Sequence, residues 1–453
     1  MVSVPYLEKR RGEKEKQMIN ICKRDEKEGC ICPGNVWPDT DGIPIQAHGG
    51  NVMYDEHAKT YYWYGEHKGA DNISTGAETG TPAIGISCYS SKDLCHWKNE
   101  GVVLPVFNNP RLVDGTGTED TVMYLSEKSE EYKSSPLPEF SGDASIEKYE
   151  KSPVESLSEF HTETAIEKLN AQYAGLSLEE KQNMYKEFHW NRVVERPKVV
   201  YNKNTGRYVM WWHQDGPTVG KYTVASAGVA ISDCPTGPFR YLGTSRMPKT
   251  GYYPGGNGEG MLRDMTLYVD DDYTGYVIFA SEENATIVIQ KLNAEYTAPS
   301  GNVEGTDYVR VFAGEYREAP ALFKDRDNYY MITSGQTGWN PNPCKYAVSK
   351  TGIFGDWSAP EAFCIQDVDL QGETVATPEE GTTFWSQSTD ILPLRDENGE
   401  KIEGKFIYVG DRWFRENLRD SRYIWLPLTL DSKACTLKME WKNSWEIKEE
   451  NHR

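Results

Sequence analysis

Three acidic residues stand at the same place in three separate hairpins: Glu195 ahead of RPKVVY, Asp264 ahead of MTLYVD, and Glu318 ahead of APALFK. A fourth, Glu66, closes the strand TYYWYGE, and a further hairpin offers Gln387 just ahead of STDILPL. One acid beside a strand is ordinarily solvated or a cap. Recurrence at equivalent repeat positions changes that, because the symmetry aims the side chains at one place. Several carboxylates around one pocket suit the breaking of an acetal. That reaction needs a protonated acid at the leaving oxygen and a second group that handles the attacking water or steadies charge at the anomeric carbon. Neighbouring negative charges and partial burial raise the pKa of the acid that must stay protonated. Trp63, Trp212, Trp339, Trp385 and Trp413 lie nearby in sequence and could offer flat apolar faces to a sugar ring, although most strand aromatics are core.

The elements that must position these residues repeat five times. GGNVMYDEHAKTYYWYGE (49–66), RPKVVYNKNTGRYVMWWH (196–213), RDMTLYVDDDYTGYVIFAS (263–281), EAPALFKDRDNYYMITS (318–334) and STDILPLRDENGEKIEGKFIYVGDRW (388–413) share one grammar. Each has a short apolar strand, a turn rich in Asp, Asn, Lys or Gly, and an aromatic or β-branched strand. A second, more amphipathic strand pair follows each. Four strands per unit and five units predict an all-β, five-bladed β-propeller over residues 43–446, with an N-terminal extension at 1–42 and a tail at 447–453. In that architecture the first strand of each blade lies near the axis, so Glu195, Asp264 and Glu318 should face a shared pocket. Between blades one and two, residues 107–188 turn polar and helix-prone, and their expected place is over one face, at a subunit contact or in solvent. Within them Ser177 and Glu180 have the spacing of a capping box.

Composition narrows the partners. A formal charge of −20 excludes the basic footprint that nucleic acid or an anionic membrane requires, and no apolar run reaches the length of a membrane span. The eight histidines show no metal-ligand spacing, so no metal site or other cofactor is evident, and a structural calcium stays open. Nine cysteines without a framework, with Cys30 and Cys32 the only tight pair, read as reduced thiols. With no signal-peptide-like start, the expectation is a cytoplasmic protein. Its oligomeric state stays open.

The motifs AHGGNVMYDEHAKTYYWYGE, VVERPKVVYN, GVAISDCPTGPF, RDMTLYVDDD, SEENAT, REAPALF, SGQTGWNPN, SQSTDILPL, VGDRW and YIWLPL, in this order, closely resemble glycoside hydrolase family 43, in the branch of the exo-β-1,3-galactanases. The resemblance covers about residues 43–430 apart from the insertion. It implies a five-bladed propeller that hydrolyses from the non-reducing end with inversion, acting on galactose-containing oligosaccharides. Carried over by position, Glu318 would be the general acid and Asp264 the residue that tunes and orients it. Glu66, Glu195, Tyr222, Asn284 and Thr337 would line the terminal-sugar subsite, and Gln387 would lie close to the anomeric carbon. Most of the family places a base Asp on the first strand of blade one. Here Ala47-His48-Gly49 stands there instead, as in the galactanase branch, so that Gln387 or Glu66 must attend the water. His48 would border the sugar, and the pair Gly49-Gly50 would let the backbone approach the axis where a side chain would block it. Two other readings share these residues: an α-L-arabinofuranosidase or galactofuranosidase of the same family, and a sugar-binding propeller without chemistry. Retention of Glu318 together with Asp264 argues for an enzyme.

Overall fold

The computed structural model describes residues 30–447, apart from 70–71, 76–77, 110–111, 113–120, 124–162, 218–221, 251–259, 365–366, 369–373 and 376–380. Most of the insertion, the first 29 residues and the end of the tail therefore lie outside the described residues.

Blade one consists of β1 (His48–Asp55), β2 (Thr60–Glu66), β5 (Gly85–Ser91) and β6 (Lys98–Pro105), with the small hairpin β3 (Ile73–Thr75) and β4 (Glu78–Gly80) thrown out between its halves. Two helices of the insertion follow, α1 (Glu163–Ala171) and α2 (Leu178–Glu187). Blade two is β7 (Val193–Asn202), β8 (Arg207–Asp215), β9 (Ser226–Ser232) and β10 (Arg240–Ser245). Blade three is β11 (Met265–Val269), β12 (Gly275–Ser281), β13 (Thr286–Lys291) and β14 (Tyr308–Val311). Blade four is β15 (Arg317–Asp325), β16 (Asn328–Gly335), β17 (Lys345–Ser349) and β18 (Glu361–Ala362). After the short pair β19 (Asp367–Val368) and β20 (Thr374–Val375), blade five is β21 (Gln387–Arg395), β22 (Lys401–Arg412), β23 (Arg422–Asp431) and β24 (Thr436–Met439). The first strands touch in a closed ring, β1 to β7 to β11 to β15 to β21 and back to β1, which makes the chain a five-bladed propeller.

The period-two alternation of strands explains the core. In β8, Val209 and Trp211 pack towards blade three, while Tyr208, Met210 and Trp212 pack towards blade one. The same division recurs at every interface, so both faces of each sheet are buried and the second strands read as nearly continuous apolar runs. Trp63 joins Trp37, Trp97 and Trp425 in the cluster between blades five and one. Trp63 and Trp212 are therefore core residues with no face for a sugar, which corrects their place among the candidate aromatics.

A segment ahead of blade one crosses that same seam. Ile31 pairs with Trp445, Gly34 N–H donates to Tyr423 O (2.8 Å) and Thr40 N–H to Trp97 O (2.9 Å). Cys30 and Cys95 are joined by a disulfide, contrary to the expectation of reduced thiols; the partners are 65 residues apart and carry no local signal. Among the described residues the insertion packs on the outer edge of blades one and two. Ser177 caps α2 with the expected box: Glu180 N–H donates to Ser177 Oγ (3.2 Å) and Ser177 N–H to Glu180 Oε2 (2.7 Å). Tyr173 and Phe188 then close over Phe107 and Tyr241.

Candidate active site

A bulge near one end of the innermost strand builds the site in four blades. The pairing register slips between His48 and Asn51, Glu195 and Lys198, Glu318 and Ala321, and Ser388 and Asp390. In three of them the residue after the break is left-handed: Gly49 (φ +61°), Arg196 (φ +55°) and Ala319 (φ +51°). The extra residue re-aims its neighbours, so Glu195 and Arg196 both serve the same site. Two three-residue left-handed turns add to this. Glu282-Glu283-Asn284 and Thr383-Phe384-Trp385 all have positive φ, and they deliver Asn284 and Gln387 to Glu318. Backbone held this way costs free energy and persists only where its surroundings fix it. For the first turn the anchor is Glu282, fully buried and bound by the Arg310 guanidinium at 2.8 and 2.7 Å.

Glu318 is 9% exposed and receives two hydrogen bonds, from Gln387 Nε2 (3.2 Å) and from Asn284 Nδ2 (3.3 Å). The orientation of Gln387 is forced: Arg196 Nη2 and Trp413 Nε1 (2.9 Å) can only donate, so its carbonyl oxygen faces them and its amide nitrogen faces Glu318 and Ser334. Burial, then the charge of Asp264, pushes the Glu318 pKa up to about 8, with Arg196 and the Gln387 bond pulling the other way. The carboxyl is thus neutral near pH 7, and both hydrogen-bonded neighbours donate to it. Its own proton remains available to a ligand.

Arg196 ties the carboxylates together. It is 4% exposed, its Nη2 lies 3.0 Å from Asp264 Oδ2, its backbone N–H donates to Glu66 Oε1 (2.9 Å), and its Nη1 donates to Ser388 O (3.0 Å). Glu66 also meets Lys68 Nζ at 2.6 Å; burial raises its pKa against that pairing. Glu195 accepts from the Tyr222 hydroxyl (2.7 Å) and lies 3.4 Å from His213 Nδ1, whose Nε2 is 3.1 Å from Asp215. Burial opposes charge on His213, but its bonds to Asp215 and Glu195 prevail and push its pKa up to about 9. Burial likewise opposes charge on Glu195, yet the His213 hydrogen bond and the Lys68 charge hold its pKa below the usual range. A cavity of about 220 Å³ opens beside this cluster, lined among others by Glu66, Lys68, Glu195, Tyr222, Trp339 and Arg415.

The structure thus brings Glu66, Glu195, Asp264, Glu318, Gln387, Tyr222 and Asn284 into one network. Trp339 lines the cavity edge-on to Trp413 (5.1 Å). Thr337 is exposed in the neighbouring loop, where it donates to Asn340 O (2.6 Å). His48 is fully buried and has no surface for a sugar. It stacks on Tyr423 and bonds Asp411 (2.9 Å), which also accepts from Gly49 N–H (2.9 Å). The glycine pair serves neighbours and not a sugar: a Cβ on Gly49 would sit 2.2 Å from Glu66 Oε1, and one on Gly50 1.6 Å from Tyr64 O. Sequence reasoning missed Arg196, Lys68 and His213. Arg196 had a signal, since Glu-Arg-Pro (195–197) and Glu-Ala-Pro (318–320) are the same repeat position.

Glu195, His213 and Asp264 present ligand atoms within 4.8 Å of one another, the grouping among the described residues that a metal could use. It suits a hard cation poorly. Calcium wants six to eight oxygens, whereas here His213 is held protonated by two carboxylates and Asp264 is already met by Arg196.

The Glycosyl hydrolases family 43 profile matches residues 197–362. No curated protein matches the sequence. Among solved structures, a GH43 β-1,3-galactosidase with galactodeoxynojirimycin is 31% identical, with a TM-score of 0.62 over 92% of this chain and 100% of that one. The exo-β-1,3-galactanase of Phanerochaete chrysosporium, solved with β-1,3-galactotriose, is 25% identical, with a TM-score of 0.59 over 93% of this chain and 69% of the other. That of Clostridium thermocellum is 28% identical, with a TM-score of 0.59 over 91% and 66%.

Proposed function

The chain belongs to glycoside hydrolase family 43, and from that membership and the site we propose that it is an inverting, exo-acting hydrolase releasing terminal galactose from β-1,3-linked galacto-oligosaccharides. The observation that carries this reading is the state of Glu318: a carboxyl kept protonated near neutrality, with donors on both oxygens, in the network whose Glu66 and Glu195 line the cavity. Galactose as the sugar is supported by the ligands of similar enzymes.

In this reading Glu318 gives its proton to the glycosidic oxygen as the bond to the anomeric carbon breaks. Arg196, fixed by Asp264, holds Gln387, and Gln387 holds Glu318. Water adds to the opposite face of the anomeric carbon and gives up a proton. Gln387 is ill-suited to take it, because Arg196 and Trp413 both bind its carbonyl oxygen and its nitrogen donates to Glu318 and Ser334. Two carboxylates line the cavity; Glu195 is held by His213 and Tyr222 with its pKa lowered, whereas burial raises that of Glu66, and we assign the task to Glu66. Glu195 and Tyr222 hold hydroxyls of the terminal sugar.

The test is a proton NMR time course with β-1,3-galactobiose and an aryl α-L-arabinofuranoside, on wild type, Glu318→Gln and Glu66→Gln. Release of α-galactose by wild type and by neither variant is expected. Release of arabinose alone overturns the galactose reading, and release of β-galactose overturns inversion.

A further inference from the structure

The cavity has a second wall that hydrolysis of a neutral terminal sugar does not use. It is formed by Asn72 and Thr81 from the β3–β4 side of blade one, with Arg415 and Leu418 from the loop after β22. Asn72 welds the two loops together. Its Nδ2 donates to Arg415 O (3.1 Å), its Oδ1 accepts from Thr81 Oγ1 (2.6 Å) and Leu418 N–H (3.1 Å), and its own N–H donates to Asn417 Oδ1 (3.3 Å). Two of these bonds, to Arg415 O and from Leu418 N–H, fix the backbone that presents Arg415.

The charges lining the cavity are otherwise matched. Lys68 is paired with Glu66, Glu195 is held by His213 and Tyr222, and burial keeps His67 neutral, its pKa lowered to about 3. The Arg415 guanidinium makes no hydrogen bond or ion pair with any described residue, although the chain carries 69 acids against 49 Lys and Arg. Arg415 is exposed at the mouth of the cavity on a backbone that Asn72 fixes, and an unpaired guanidinium there is a fork for a carboxylate. Trp339 in the same cavity supplies an apolar surface for a ring.

We propose that this wall is a subsite for a carboxylate-bearing sugar unit, a uronic acid attached to the galactose chain, and that Arg415 reads its carboxylate. The proposal rests on the sugar-cleaving reading above, and it adds a substrate class: acidic galacto-oligosaccharides in addition to neutral ones. With its two terminal nitrogens the guanidinium can bind both carboxylate oxygens, while a neutral sugar offers only hydroxyls there.

Calorimetry on Glu318→Gln protein, which should bind without turnover, tests it. The probes are β-1,3-galactobiose carrying one glucuronosyl unit on either galactose, each beside its carboxyl-reduced twin. For at least one position the acid should bind roughly 3- to 10-fold tighter than its twin at low salt, and the advantage should shrink as salt is raised. Adding Arg415→Gln should bring the ratio close to one, and adding Arg415→Lys instead should restore part of it. Equal binding of both twins to the parent overturns the proposal, as does an Arg415→Gln loss of the same size for both, or no binding of either. Failure of wild type to cleave neutral β-1,3-galactobiose would sink the catalytic reading instead, and would leave the binding ratio to report on Arg415.

Discussion

Keeping Glu318 protonated near neutrality has a thermodynamic cost, and replacing it shows how large. In the unfolded chain this carboxyl has its ordinary pKa of 4.5; in the folded chain burial and Asp264 hold it at about 8. Folding near pH 7 therefore takes up a proton against a gap of about 2.5 pH units, which costs about 3 kcal/mol at 1.36 kcal/mol per unit. Because the folded pKa is the higher one, the cost is absent below the unfolded pKa and grows as pH rises to the folded one. Glu318→Gln removes the cost. It also leaves one oxygen to accept from two donors, Gln387 and Asn284, a loss of about 1 kcal/mol. The variant should be inactive yet more stable than wild type by about 2 kcal/mol near pH 7. The gap should close near pH 5 and widen by about 1.4 kcal/mol per pH unit between them. For a chain of 453 residues the gain near pH 7 corresponds to a Tm rise of about 2 °C. Denaturant melts of both proteins from pH 5 to 8 read it directly. A difference that does not change with pH, or a variant less stable throughout, would mean that Glu318 folds as a paired carboxylate, and the assignment of the acid would fall.

If Glu318 is the acid as proposed, it should set the alkaline limb of kcat/KM with a bend near pH 8; Asp264→Asn removes a charge that raises Glu318 and should move the bend lower. A bend that stays or moves up would show that Asp264 does not act on the acid. His213→Gln should raise KM by roughly tenfold with a smaller change in kcat, and the penalty should fade above pH 9 as wild-type His213 loses its own proton; an unchanged KM would remove Glu195 from substrate binding. Gly49→Ala puts a Cβ against Glu66 at positive φ and should cost about 1–3 kcal/mol of stability along with activity, as melts and initial rates would show. A fully active, equally stable alanine variant would refute the packing argument.

The blades were legible because each sheet is buried on both faces and each hairpin carries its own turn chemistry, so the signal lies within some twenty residues. The acids were legible through the repeat: Glu195, Asp264 and Glu318 start equivalent strands and do converge. Their counter-charges were not. Arg196 meets Asp264 across a blade boundary and Lys68 feels the charge of Glu195 on the next blade, while His213 reaches Glu195 from the neighbouring strand of the same blade; spacing in the sequence encodes none of these three approaches. Trp63 and Trp212 show the opposite failure: an aromatic in a strand looks the same in sequence whether it faces a ligand or a neighbouring sheet. The left-handed turns before Ala285 and Ser386 use no glycine at all, so nothing in Glu-Glu-Asn or Thr-Phe-Trp announced them.

The seam between blades five and one has a consequence for how this protein stops working. Each blade supplies one or more parts of the site: Glu66, Glu195 with Arg196, Asp264 with Asn284, Glu318, and Gln387. The ring is drawn shut by the segment from Cys30 to Ile45, laid across Trp445, Tyr423 and Trp97. Slackening that strap would part Gln387 from Glu66 while every sheet kept its own ladder of hydrogen bonds. Inactivation would then run ahead of melting, and a sample could look folded by its strand content long after it had ceased to be an enzyme.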